Sequence, residues 1–86
     1  MAAVELHYFA WVREQVGHSS ERAEPPAEVG DVSGLIRWLA GRSPGHAAAF
    51  ADPSRIRAAI DNVFVRHEAS LAGAREVALF PPVTGG

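Results

Sequence analysis

The chain has 86 residues, 48% hydrophobic and 21% charged, which is enough apolar material for one small core and too short for a second. A formal charge of −2 leaves no basic field to hold a phosphate backbone, so nucleic acid is not an expected partner. There is no cysteine and all eight basic residues are arginine, so thiolate nucleophiles, thiolate metal ligands and lysine amines are excluded. A small fold without disulfides points to the cytoplasm. Met1-Ala2-Ala3-Val4-Glu5 lacks the charged-then-apolar order of an export signal, and no apolar run approaches the ~20 residues of a membrane span. No membrane association is expected.

Along the chain, Val4, Leu6 and Tyr8 alternate with Glu5, His7 and Phe9, the period-two pattern of a strand with one face on a core. Trp11, Val12 and Val16 then suit one or two helical turns over residues 10–16, ending at Gly17. Residues 21–24 are polar and stopped by Pro25-Pro26, which suits an edge strand, where a missing N–H is tolerated. Asp31 precedes Val32, Leu35, Ile36 and Leu39 at i, i+3, i+4 and i+7, with Gly41 as the stop; this is the main helix. Gly34 inside it reads as slack offset by core contacts, with a close approach by another element as the alternative. Pro44-Gly45 predicts a turn, residues 46–50 a short helical piece, and Asp52-Pro53 its end. Ile56, Ala58 and Ile60 alternate as a third strand, Asn62 starts a bend into Val63-Phe64-Val65, and Val77-Ala78-Leu79-Phe80 is the last strand before Pro81-Pro82.

Strands on both sides of one long amphipathic helix predict an α+β fold, a mixed sheet packed on one main helix in the β-grasp arrangement. The domain is expected over residues 1–80 and a tail over residues 81–86. Topology does not define chemistry. His7, His18, His46 and His67 stand at no ligand spacing from one another, so no metal site is expected. His67-Glu68 fails as an acid/base pair because adjacent strand residues face opposite ways. No serine lies in a nucleophile-elbow setting and no glycine-rich loop opens a helix, so the chain alone is not expected to catalyse a reaction with its side chains.

The tail is more informative. In Pro81-Pro82-Val83-Thr84-Gly85-Gly86 the prolines favour an extended exit, and six residues span about 20 Å when stretched. Gly85 and Gly86, without Cβ atoms, can enter a channel closed to branched residues. A terminal Gly-Gly by itself reads first as a frayed end, since chain termini are commonly disordered and glycine there is ordinary.

The whole run from Val77 to Gly86 closely resembles the C-terminus of the molybdopterin synthase small-subunit family. The similarity extends to Leu6-His7-Tyr8-Phe9-Ala10, to Val12-Arg13-Glu14 with Gly17, and to Ala58-Ala59-Ile60-Asp61. Residues 19–53 match mainly in pattern. Two departures are Asp61, where the family usually has asparagine, and Ala74-Arg75-Glu76 in place of a Gly-Asp-Glu turn; both bear on local turn geometry.

The resemblance implies a ubiquitin-like sulfur carrier. Its Gly86 carboxylate would be converted by an adenylating activating enzyme, using ATP, to an acyl adenylate and then a thiocarboxylate, with no bound cofactor. Two such subunits would dock on a dimer of the large subunit as a heterotetramer, each tail inserted in a pocket and delivering sulfur to cyclic pyranopterin monophosphate to build the dithiolene. Phe9, Phe64 and Phe80 occupy positions where the family presents apolar side chains to the large subunit; the alternative is that all three belong to the core. Also open are a carrier for thiamine, cysteine or tRNA thiolation and a ubiquitin-like protein modifier. The lack of lysine and cysteine would deny an activated terminus any internal side-chain amine or thiol to acylate, although an arginine- and alanine-rich composition explains that absence more simply.

Overall fold

The computed structural model describes residues 3–82. A five-stranded mixed sheet is formed by β1 (Val4–Tyr8), β2 (Ser20–Ala23), β3 (Arg57–Ile60), β4 (Val63–Val65) and β5 (Glu76–Phe80) in the order β2-β1-β5-β3-β4. β1 and β5 are parallel, Leu6 opposite Val77, and every other pair is antiparallel. Three α-helices, α1 (Ala10–Val16), α2 (Val32–Ala40) and α3 (Pro44–Ala49), and a short 3-10 helix (Pro53–Arg55) complete the described fold.

The alternation read in the sequence explains the two faces. Val4, Leu6 and Tyr8 of β1 and Val77 and Leu79 of β5 are buried against Val32, Leu35, Ile36 and Leu39 of α2. Burying one such side chain contributes roughly 1.5–3 kcal/mol, so this single stripe on α2 supplies much of the core. Asp31 caps α2 by accepting from the Gly34 N–H at 2.8 Å. The still unpaired Val32 and Ser33 N–H groups donate to the Ala69 and His67 carbonyls, which ties the long segment before β5 to the helix start. His67 and Glu68 lie in a turn and not in a strand, so the opposite-face argument does not apply to them; His67 is held by a 2.8 Å contact from Nε2 to the Ile56 carbonyl.

Three local expectations change. Gly34 is not slack: a Cβ there would stand 3.2 Å from Asp31 Oδ1, so the helix's own cap crowds it. Pro44-Gly45 is not a turn. Ser43 caps α3 and Pro44 takes its first position, where the missing N–H costs nothing, so the helix begins two residues before the predicted start. Gly45 is required for a different reason, because a Cβ would collide with the Gln15 carbonyl and lie 3.2 Å from that of Val16. That contact seats α3 directly on the end of α1.

Asp61 and Asn62 turn the β3–β4 hairpin with φ of 48° and 71°, the left-handed region that Asp and Asn tolerate best among residues with a side chain. The Asp61 carboxylate accepts from the Arg75 and Glu76 N–H groups at 3.1 and 2.9 Å. The two departures in the sequence therefore meet in space and close a single turn.

Candidate functional site

Two groupings stand out, one on each face of the sheet. On the outward face, register aligns Phe64 with Ala59, Ala59 with Ala78, and Ala78 with His7. Phe80 shares the outward parity of Ala78, and Phe9 follows β1 immediately, its N–H donating to the Leu79 carbonyl at 3.3 Å. The small Ala59 and Ala78 form a floor and the three rings its walls; Phe64 and Phe80 have centroids 5.7 Å apart. Phe64 is 82% and Phe9 51% exposed, and Phe80 is half-buried. The structure thus brings together all three predicted aromatic positions and places them outside the core.

The patch has a polar rim. Beside it, His7 Nε2 lies 2.9 Å from Glu76 Oε1, off the line a hydrogen bond needs. Pro81 and Pro82 leave β5 directly after Phe80, so the tail departs from the edge of the aromatic patch. The predicted site residues Val83, Thr84, Gly85 and Gly86 lie outside the described residues.

On the helical face, at the β2 edge, stands a polar network that sequence spacing did not disclose. Glu21 faces inward opposite Leu6 and receives the Tyr8 hydroxyl at 2.6 Å. Its Oε2 is also 2.6 Å from His46 Nε2, and its Oε1 is 3.4 Å from His18 Nε2 and 3.6 Å from Arg42. His46, only 5% exposed, presents Nδ1 to Ser43 Oγ at 2.6 Å. Burial works against charge on Glu21, but the bonds from Tyr8 and His46 and the charges of His46 and Arg42 outweigh it and hold the carboxyl below its ordinary value. Burial and the same carboxylate push the Tyr8 hydroxyl far above its ordinary range, so it remains a donor. The partners lie 13 and 25 residues apart in sequence. The available signals were the shared inward parity of Tyr8 and Glu21 and the Ser43-Pro44-Gly45-His46 cap.

The sheet order, the parallel central pair and the covering α2 define a ubiquitin-like β-grasp. The chain belongs to the ThiS family, whose model matches residues 6–86. It is 36% identical to the molybdopterin synthase sulfur carrier subunit of Escherichia coli (strain K12), covering 96% of this chain and 99% of that one. It is 34% identical to the protein of the same name from Mycosarcoma maydis, with 98% and 94% covered. Among solved structures, SAMP1 from Haloferax volcanii superposes with a TM-score of 0.72 at 23% identity, covering 99% of this chain and all of that one. A candidate molybdopterin converting factor subunit 1 from Pyrococcus furiosus gives 0.73 at 25%, covering 96% and 100%. The family resemblance seen in the tail and in β1 therefore extends through the whole chain. Among the described residues, no helix is long and apolar enough to cross a membrane.

Proposed function

We propose that this chain is the sulfur-carrying small subunit of a molybdopterin synthase. The observation that carries the reading is the aromatic patch at the root of the tail, exposed Phe9 and Phe64 with half-buried Phe80, on a chain homologous to sulfur carrier subunits. Exposed aromatic rings grouped on one face mark a surface that a partner covers. That partner is the large subunit, in a heterotetramer of two small and two large chains, and the complex works in the cytoplasm.

The chemistry resides in the tail, residues 81–86, with the Gly86 carboxylate as the reacting group. A carboxylate is a poor acyl donor because neither oxygen is a leaving group. Activation by ATP on a separate activating enzyme makes an acyl adenylate with release of pyrophosphate, and sulfur at the sulfide level attacks its carbonyl carbon and expels AMP, leaving the thiocarboxylate. Pro81 and Pro82 direct the strand outward, Val83 and Thr84 give it length, and Gly85 and Gly86 pass a narrow channel to the partner's pocket. Sulfur is delivered there to cyclic pyranopterin monophosphate, and the catalytic side chains belong to the large subunit.

Likeness to the archaeal SAMP1 is at the level of fold and gives no separate support to protein modification. Intact mass after incubation with activating enzyme, ATP and a sulfur donor is expected to show one oxygen-to-sulfur exchange at Gly86. Deletion of Gly86 is expected to abolish molybdopterin formation in a reconstituted assay. Full synthesis by the deletion variant, or an isopeptide ladder on other proteins in place of the exchange, would overturn the reading.

A further inference from the structure

We propose that His18, Glu21 and His46 form a binding site for a zinc-type divalent metal ion, with Nε2 of each imidazole and a Glu21 oxygen as ligands and water completing the tetrahedron. Among the described residues these three offer ligand atoms that all lie within 4.8 Å of one another. Donor atoms around tetrahedral zinc stand roughly 3.3 Å apart, as follows from bonds of about 2.0–2.1 Å. His18 Nε2 is 3.4 Å from Glu21 Oε1 and His46 Nε2 is 2.6 Å from the other oxygen, Oε2, so an ion between the two imidazoles requires the carboxylate to turn and the His46 contact to open by about 0.7 Å. Two imidazoles and a carboxylate suit zinc, not the oxygen-seeking magnesium or calcium.

The surroundings support ligation. A ligating imidazole normally donates its other N–H to a fixed acceptor, and His46 Nδ1 is 2.6 Å from Ser43 Oγ, which itself is held by the His46 backbone N–H at 3.1 Å. The Tyr8 hydroxyl orients the Glu21 carboxylate in the same way. Without metal, the His46 ring satisfies both nitrogens through Glu21 and Ser43. On binding, Nε2 gives up its hydrogen-bonding role to the ion and Nδ1–H donates to Ser43. His18, about half exposed, leaves one side of the site open to solvent, where the water ligand belongs. The ion would fasten the loop after α1, the edge strand β2 and α3 to one another. Arg42, 3.6 Å from Glu21 Oε1, is the group that opposes it, since its positive charge competes for the same oxygen.

The test is a zinc titration of the untagged, chelator-stripped full chain, followed by calorimetry and by melting temperature. One equivalent is expected to bind, the melting temperature to rise with zinc and not with magnesium, and His18→Ala to weaken binding at least about tenfold. His18 is exposed enough that this variant keeps the fold, unlike substitutions of His46. Arg42→Ala is expected to tighten zinc binding, an outcome that a purely structural role of the network does not produce. His7→Ala, which removes the other histidine–carboxylate contact, is expected to leave affinity unchanged. Absence of zinc binding, or binding that His18→Ala leaves untouched, would overturn the proposal.

Discussion

On the outward face of the sheet, Phe9 and Phe64 stand in solvent beside the half-buried Phe80 over a floor of alanine, while on the helical face Glu21 and His46 are drawn into a set of hydrogen bonds. Each arrangement is costly for an isolated domain. Exposed apolar area is not offset until something covers it, whereas the buried polar atoms are already paired within the chain. The difference fits two roles: on the proposed reading the patch keeps free energy available for association, while the network ties α3 to β2 through the His46–Glu21 contact.

The sharpest way to break that contrast is Glu21→Ala, which leaves the Tyr8 hydroxyl and His46 Nε2 without their partly buried acceptor. A loss of about 3 kcal/mol in unfolding free energy is expected in urea denaturation. Phe80→Ala is expected to weaken association with the large subunit by about 2 kcal/mol in titration calorimetry, more than it lowers the domain's own stability. Unchanged association with a large drop in melting temperature would return Phe80 to the core. Gly45→Ala sets a Cβ against the Gln15 carbonyl and should cost about 1–2 kcal/mol of stability, because the backbone of α1 has to move. Phe64→Ala, at the exposed end of the patch, should change stability by no more than about 0.5 kcal/mol while still reducing association.

Asp52 gives the smallest effect and a useful baseline. The hydroxyl and N–H of Ser54 hold its carboxyl below the ordinary value. A carboxylate lowered on folding contributes stability that is present above its unfolded value and lost as pH falls through the folded one. Asp52→Asn is therefore expected to remove a slight acid-range dependence of melting temperature, in full solvent, where such a cap contributes little.

Much of this was legible in the sequence, for local reasons. The alternation of Val4, Leu6 and Tyr8 follows from the strand's period of two, and the Asp31 cap and the α2 stripe from the helix's 3.6, so strands, main helix and fold class could be read directly. The grouping of Phe9, Phe64 and Phe80 comes from the family resemblance; periodicity alone does not say whether their face is covered by another layer. Pro44 reads either way in the sequence, because proline ends a helix in one position and starts one in another, and the difference lies in the Ser43 side chain that caps α3.

By itself, then, the chain's order of residues determined which segments are strands and helices, which side of each is apolar, and the glycine-ended tail that carries the family resemblance. Only the tertiary structure decided that no described element covers the sheet's outer face, that Asp61 closes onto Arg75, and that His18, Glu21 and His46 converge. Periodicity and capping act between covalent neighbours. Convergence across 25 residues depends on how β2 registers on β1 and how closely Gly45 lets α3 approach α1, and no local pattern encodes those distances.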